Sequence, residues 1–304
     1  MENVEKNIGI VLEGALAQTP EVKKSEVESL LEDLNDLSGI NATEVELPIL
    51  GCTAIVTPIK GSDEVLTKTL KASGYQFISL FNSLIYNHTR FEGLAFDNVE
   101  DFQNHITAPD KMVLVFALLS ATYTTLPATV LECPHCGEQQ EYHFKPSDML
   151  HSDTLVKKWD KEVAVEDYEI EHKVYDKFIV YYKMQTEASR LALVKNKSTK
   201  ELQDQVKANN SLISSSDLIS MYVTKMVIKD KVITDKEQIR EILEKASPDI
   251  RAKLIEENKI EEFFQYIPNF YFNIKCRNDN CLKDFKYKEV DPETEFFRKS
   301  VSIY

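Results

Sequence analysis

Glycine is scarce in this chain: eight residues in 304, scattered singly. Backbone phosphate cradles need clustered glycines, and neither G-x-G-x-x-G nor G-x-x-x-x-G-K-[ST] occurs. H-E-x-x-H and G-x-S-x-G are absent as well. The six histidines, at 88, 105, 135, 143, 151 and 172, stand alone. Nothing assembles a nucleophile, a base and an oxyanion site, so the expected role is non-enzymatic. Long apolar runs are missing too; none reaches the roughly 18 residues of a transmembrane helix, so no membrane span is expected. The segment Met1-Glu2-Asn3-Val4-Glu5-Lys6 lacks the basic start and apolar stretch of a secretory signal. Basic residues are in deficit, 36 against 50 acidic, for a net charge of −14. Phosphate neutralisation depends on Lys and Arg, so nucleic acid is not an expected partner.

Cysteine is also sparse, five in an odd count. Without an export signal, that count fits a reducing cytosol and metal binding better than a disulfide framework. Cys52, in Gly51-Cys52-Thr53-Ala54-Ile55-Val56, reads as a small buried hydrophobe. The other four fall in two segments about 140 residues apart that look like the same object. In the first, Thr129-Val130-Leu131-Glu132 leads into Cys133-Pro134-His135-Cys136-Gly137 and returns through Tyr142 and Phe144. In the second, Phe270-Tyr271-Phe272-Asn273-Ile274-Lys275 leads into Cys276-Arg277-Asn278-Asp279-Asn280-Cys281 and returns through Phe285 and Tyr287. Cysteines at the tips of two strand–turn–strand frames are the donor set of a closed, tetrahedral, structural zinc site. Cys133, Cys136, Cys276 and Cys281 are therefore the candidate ligands of one Zn2+ ion. The alternatives are separate free thiols or a redox pair, and His135 or His143 could replace a cysteine at the metal. Closing a flexible loop of this length costs about 4–5 kcal/mol beyond a constant. Structural zinc contributes roughly 10–16 kcal/mol in finger-type peptides, so the metal wins.

The expected fold is α+β: a helical core with β-hairpins, a split zinc-ribbon-like module and a mixed α/β insertion. Residues 1–40 read as two narrow-striped helices, Val4, Ile8, Val11 and Leu12 on one face and Val27, Leu30, Leu31 and Leu34 on the next. They form either an arm that docks on a partner or part of the main core. Residues 41–127 hold a hairpin over 43–59 and three helices. The first runs from the cap Gly61-Ser62-Asp63-Glu64 to Leu84-Ile85, and the second lies near Val99–Ile106. The third is opened by Pro109-Asp110-Lys111 and is apolar on all sides through Leu119. The two halves of the ribbon are 128–147 and 268–290, and 148–267 is the insertion between them. That insertion carries a hairpin over Tyr168–Tyr182 and a polar helical stretch over 185–210. A helix capped by Ser216-Asp217 follows and runs through Met226. A small hairpin over Val227–Ile233 precedes helices starting at Thr234-Asp235 and Ser247-Pro248-Asp249. An acidic tail over 291–304 carries Phe296, Phe297 and Tyr304. The second cysteine hairpin is locally basic at Lys275, Arg277, Lys283, Lys286 and Lys288.

In order and spacing these segments resemble the baseplate hub proteins of T-even-type contractile-tailed bacteriophages. The resemblance starts at Glu46-Leu47-Pro48 and Val56-Thr57-Pro58-Ile59-Lys60-Gly61-Ser62-Asp63-Glu64. It continues through the apolar helix over 111–122 and Cys133-Pro134-His135-Cys136-Gly137. It closes with a helix Ile250–Ile267, Asn273-Ile274-Lys275-Cys276…Cys281, and Asp291-Pro292 before Phe296-Phe297. It covers about 45–304. The resemblance implies a structural or assembly component of the baseplate hub, built in the host cytoplasm and located in the virion tail. Its partners would be other hub and wedge proteins, with the tape-measure protein as a further candidate. Phe296, Phe297 and Tyr304 are the candidate partner contacts; for the two phenylalanines the alternative is folding back on the ribbon. A zinc-ribbon adaptor in transcription or RNA metabolism is the alternative function.

Overall fold

In a computed structural model the chain divides into two compact units, Met1–Asn41 and Ala42–Tyr304. The structure describes residues 41–60, 63, 74–151, 153–154, 157–160, 162–195, 215–256, 261–288 and 290–296. The expected helices over 1–40, most of the cap at 61–64, Phe297 and Tyr304 lie outside the described residues.

The second unit is α+β, with helices packed on small antiparallel sheets. Its first strands, β1 (Thr43–Glu46) and β2 (Thr53–Val56), form the expected hairpin. Gly51 turns it with φ 65°, a left-handed conformation that a side chain disfavours. A third strand, β3 (Thr89–Phe91), joins β2 from beyond the helix α1 (Gly74–Asn87). Three residues carry no periodicity, and β3 was not legible before its register with Ala54–Val56 was known. Next come α2 (Val99–His105) and α3 (Ala108–Thr122). Almost every side chain of α3 from Val113 to Leu119 is buried, because the helix is apolar all round and can only sit inside a core.

The cysteine hairpin β4 (Thr129–Glu132) with β5 (Gln139–Tyr142) closes against this core. The insertion follows, with a four-stranded antiparallel sheet in the order β6 (Glu169–Tyr175), β7 (Phe178–Lys183), β8 (Val223–Ile228), β9 (Lys231–Ile233). In β6 the alternation is complete: Ile170, His172 and Val174 face inward and the intervening residues face water. Helices α4 (Glu187–Lys195), α5 (Ser215–Tyr222), α6 (Lys236–Lys245), α7 (Pro248–Glu256) and α8 (Glu261–Phe264) belong to the same insertion. Asp235 caps α6 by accepting from the Gln238 amide at 2.8 Å. The second cysteine hairpin, β10 (Phe272–Lys275) with β11 (Asp284–Tyr287), returns to the first core. There Phe272 stacks on Phe144 at 4.0 Å and Phe270 on Phe116 at 5.1 Å between ring centroids.

Two apolar cores result, one around α3 and one under the four-stranded sheet. Ile49, from the turn after β1, belongs to the second core, and the Trp159 amide donates to the Pro48 carbonyl at 2.6 Å. Between the cores lies a buried polar seam. Lys111 Nζ is 2.9 Å from Glu187 Oε2, and both side chains are at most 4% exposed. Asn82, Arg190 and Glu293 complete the seam, at 3.3 Å and 3.5 Å from Glu187 and 3.6 Å from Lys111 respectively.

Three expectations are corrected. The helix expected to reach Met226 ends at Tyr222, and Val223–Ile228 is strand β8, with Met226 buried opposite Val180. Its two valines and an isoleucine among six residues favour a strand once a sheet edge is available. Of the helix expected over Ile250–Ile267, the described residues show α7 to Glu256 and the short α8 over Glu261–Phe264; the chain then leaves through a turn in which the Tyr266 amide donates to Phe263, two residues before Pro268. Phe296 is not an exposed partner contact. It is fully buried, its ring 5.4 Å from Phe81 and 5.8 Å from Tyr123. A phenylalanine that finds an apolar slot on its own domain gains about 1.5–3 kcal/mol by entering it.

Candidate metal centre

The two cysteine hairpins are built alike. In each, the first cysteine follows the last paired residue of the outgoing strand, Glu132 in β4 and Lys275 in β10. In each, the return strand starts three residues after the second cysteine, at Gln139 and Asp284. The Cys133 amide donates to the Glu138 carbonyl at 2.9 Å, and the Cys276 amide to Lys283 at 3.0 Å. The residue after the second cysteine is left-handed in both, Gly137 at φ 74° and Leu282 at φ 50°. The wider second spacing is absorbed inside the turn. Asn278 accepts the Asn280 amide on its side chain at 2.8 Å and the Cys281 and Leu282 amides on its carbonyl at 2.9 and 3.0 Å.

Folding brings the four sulfurs together. All lie within 4.8 Å of one another, with Cys133 to Cys281 at 3.9 Å and Cys136 to Cys276 at 3.7 Å. A tetrahedral ion with metal–sulfur bonds of about 2.3 Å needs sulfur–sulfur edges of about 3.8 Å. The donor set and its spacing therefore fit a metal ion. A disulfide needs about 2.05 Å, and all five cysteines are free thiols. Cys133 and Cys276 are buried, Cys281 is half-buried and Cys136 is exposed.

The turns also aim hydrogen-bond donors at the sulfurs. The amides of His135 and Cys136 point at the Cys133 sulfur, that of Glu138 at Cys136, and that of Asn278 at Cys276. Burial pushes the Cys133 thiol up, but these amides and the neighbouring thiols outweigh it and bring Cys133 down to about 7. At Cys136 the Glu138 amide favours the thiolate. Burial and three thiols crowding one negative charge outweigh it, so Cys136 is pushed up to about 12. Burial raises Cys276 as well. Thiolates held this close repel one another, so four of them require a cation to compensate them.

Polar contacts knit the two turns around the sulfurs. Gln140 Nε2 donates to the Cys276 sulfur at 3.6 Å, and its Oε1 accepts the Arg277 amide at 2.8 Å and the Tyr142 hydroxyl at 2.7 Å. Asn278 Nδ2 donates to Glu138, and His135 Nε2 lies 3.3 Å from the Asp284 carbonyl. His135 is thus a neighbour of the cluster rather than a ligand. His143 pairs with Glu141 at 3.1 Å on an exposed face. Of the basic residues on the second hairpin, Arg277 covers the Tyr142 ring at 4.9 Å and donates to the Glu141 carbonyl at 3.0 Å. Lys286 covers Tyr271 at 4.0 Å and faces Asp153 at 3.7 Å. Lys275, Lys283 and Lys288 are exposed.

Two other places have chemical interest. Thr57, His88 and Asp63 stand in the order hydroxyl, imidazole, carboxylate, with Thr57 Oγ1 3.4 Å from Nδ1 and Nε2 3.0 Å from Asp63. The Thr57 hydroxyl has a nearer acceptor in the His88 carbonyl at 3.2 Å, and the Thr57 amide donates to the same oxygen at 2.8 Å. The arrangement ties the end of β2 to the end of α1. An open groove of about 570 Å³ lies among β6, β7, β8, α6 and α7, lined by Phe178, Ile228, Ile242 and Leu254. Its walls are apolar and its two charged residues, Glu241 and Lys245, pair with each other, so no polar groups converge there on a reactant. No protein-family model, curated protein or solved structure matches the chain.

Proposed function

We propose that Cys133, Cys136, Cys276 and Cys281 hold one structural zinc ion. In this reading the chain is a non-enzymatic structural or assembly component of a contractile phage-tail baseplate hub. The observation that carries the reading is the four-sulfur cluster joining two matched hairpins 140 residues apart. Four thiolate donors fill a tetrahedral ion, leaving no open position for water or substrate, so its contribution is to stability and shape. The bound ion supplies charge compensation for thiolates that otherwise repel one another. The chain's own residues do the rest: four backbone amides face the sulfurs, and Gln140 and Asn278 hold the two turns in register.

The segments that carry the phage resemblance support the second half of the proposal by meeting in one core. Leu47, α3, Phe272, Ile274 and Phe296 pack together there. The acidic, metal-tied body acts through protein–protein contacts with other hub and wedge proteins and the tape-measure protein, and it assembles in the host cytoplasm. The competing adaptor reading depends on the basic second hairpin, where Arg277 and Lys286 are already engaged within the chain.

Metal analysis of the purified chain beside Cys276→Ser tests the site. About one zinc per chain is expected in the wild type, with loss of metal and a lower melting temperature in the variant. A metal-free wild type melting with the variant refutes it. For the assembly role, mass spectrometry of purified particles and of tail intermediates is expected to find the chain in one of them. Its absence from both overturns that role, and salt-sensitive RNA or DNA binding by the isolated chain favours the adaptor.

A further inference from the structure

We propose that the open groove between the four-stranded sheet and helices α6 and α7 seats an amphipathic helix with acidic flanks, supplied by a protein partner. The groove belongs to the second core, whereas the cysteine hairpins close on the first, so this docking site stands independently of the metal.

The groove holds about 570 Å³, within the roughly 300–1,000 Å³ range of ligand pockets. Its apolar lining exceeds what the sheet covers. On α6, Ile239 and Leu243 are buried in the second core. Ile242 and Ala246, each three positions further along, line the groove and are only half-buried. Ile250 on α7 and Ile228 on β8 are half-buried in the same way, and Tyr175 at the end of β6 is 42% exposed. A flat bilayer does not reach the floor of a concave surface, and two copies set groove to groove would leave both empty. A helix projecting apolar side chains at i, i+3, i+4 and i+7 fills one. Ala246 is the smallest side chain of the lining and lets such a helix come close.

The rim decides the sign of the flanks. The chain carries a net charge of −14, yet the elements around the groove are rich in lysine. Lys177 stands in the β6–β7 turn, and Lys229 and Lys231 stand at the β8–β9 corner. The Lys229 amide donates to the Lys177 carbonyl at 2.6 Å, which sets the two turns side by side. Lys229 is held at φ 57°, where glycine or asparagine is less strained. On α7, Lys253 lies over the Tyr175 ring at 4.2 Å. Asp176 is paired with Lys173, and Glu241 with Lys245. Among the described residues Lys177, Lys229, Lys231 and Lys253 make no ion pair, and the nearby carboxylates outside those pairs are Asp230 and Asp249. Acidic residues beside the apolar stripe complement such a rim, and basic ones are repelled by it.

The test uses the full zinc-loaded chain and two synthetic peptides with the same leucine stripe, one flanked by glutamates and one by lysines, read by fluorescence anisotropy. The acidic peptide should bind at least tenfold tighter than the basic one, and its affinity should fall at least fivefold between 50 and 500 mM salt. Ala246→Trp fills the groove without removing a buried side chain and should weaken binding at least tenfold; Ile242→Asp should do the same. Lys177→Glu/Lys253→Glu should reduce the salt dependence by at least half. Melting of each metal-loaded variant checks that it is folded. Equal binding of both peptides, no binding of the acidic one at millimolar concentration, or binding untouched by Ala246→Trp overturns the docking site. Binding of phosphatidylglycerol vesicles that Ala246→Trp abolishes also overturns it, in favour of a lipid surface. A dimer of the chain alone that the same change dissolves overturns it in favour of a self-contact. A chain that holds about one zinc and fails these tests loses only the docking site, and one that passes them without metal loses only the zinc.

Discussion

Asp110 offers a test of the fold that runs against the usual acid sensitivity of a protein. It is the third residue of α3, fully buried, and its carboxylate is crowded with donors. One oxygen accepts the amides of Ile49 and Leu50 at 2.9 and 3.4 Å, and the other accepts the Thr107 hydroxyl at 2.9 Å. It thereby pins the β1–β2 turn to the start of α3. Burial nonetheless dominates: desolvation pushes the carboxyl up to about 6, against the pull of these hydrogen bonds. An acid whose folded pKa is raised binds its proton more tightly when folded. Its contribution to stability is full below about 4 and is lost as pH rises through about 6. A shift of about two units corresponds to about 3 kcal/mol withheld at pH 7. About 1 kcal/mol of that returns by pH 5 and about 2 kcal/mol by pH 4.

The other carboxylates titrate over the same range, so the perturbation must isolate this one. Asp110→Asn keeps the shape and an acceptor for Ile49 and Leu50 but cannot titrate. Urea unfolding of both proteins at pH 7, 6 and 5 cancels the common background. The wild type should gain on the variant by about 1 kcal/mol between pH 7 and pH 5. A gap independent of pH, or one moving the other way, refutes the claim that desolvation outweighs the hydrogen bonds. Glu187 supplies the opposite sign within the same protein. Burial pushes it up too, but Lys111, Arg190 and Asn82 hold it below the usual glutamate range. Its contribution is therefore present at neutral pH and lost as pH falls through the acid range, below about 4.5.

The seam around Glu187 predicts a non-additive pair. Glu187→Leu alone leaves the buried Lys111 ammonium with only the longer contact to Glu293 at 3.6 Å and should cost roughly 3–5 kcal/mol, whereas Lys111→Met/Glu187→Leu should recover at least 1 kcal/mol of that loss in urea unfolding. The left-handed residues of the two turns predict opposite signs. Leu282→Gly should raise stability by up to about 1 kcal/mol, and Gly137→Ala should lower it by about 1 kcal/mol, both read as midpoint shifts in the metal-loaded chain. Phe296→Ala removes a ring packed against Phe81 and Tyr123 and should cost roughly 3–5 kcal/mol. A thermal shift under one degree would mean that the ring is not in the core.

Much of the local structure was legible because its signals are local. The alternation in β6 and β7, the proline and acid at the start of α3, and the cap at Asp235 each act through neighbours in the chain. Both cysteine hairpins were readable for the same reason, since a strand, a turn and a returning aromatic strand are written in about 20 consecutive residues. That the hairpins meet was inferred only from metal chemistry. Two pairs of thiols make sense together in a way that two pairs of leucines would not. β3, the end of the helix before Met226 and the place of Phe296 lacked any such chemical token. Each is decided by a partner distant in sequence: Ala54–Val56, Phe178–Tyr182, and Phe81 with Tyr123.

The buried seam shows where pattern reading fails in principle. Lys111 and Glu187 stand 76 residues apart, and each has an ordinary sequence context for an exposed residue. A charged residue in the first turn of an apolar helix is normally the one that reaches water. Here the insertion lies over that turn, so Lys111 is buried by a segment that also delivers its counter-charge. Glu187 arrives at the start of α4, its amide donating to the Ile106 carbonyl at 2.9 Å just before α3. The Thr107–Thr186 bridge holds the two helix starts side by side. Burying either charge alone would cost several kcal/mol, so the pair constrains how the insertion seats on the first core. Sliding the insertion by one residue would separate the charges and leave both dry. The seam and the Thr107–Thr186 bridge thus fix the insertion on the first core at a point where a slip costs buried charge, and that seating sets the path that returns the chain to β10 and brings Cys276 and Cys281 to Cys133 and Cys136.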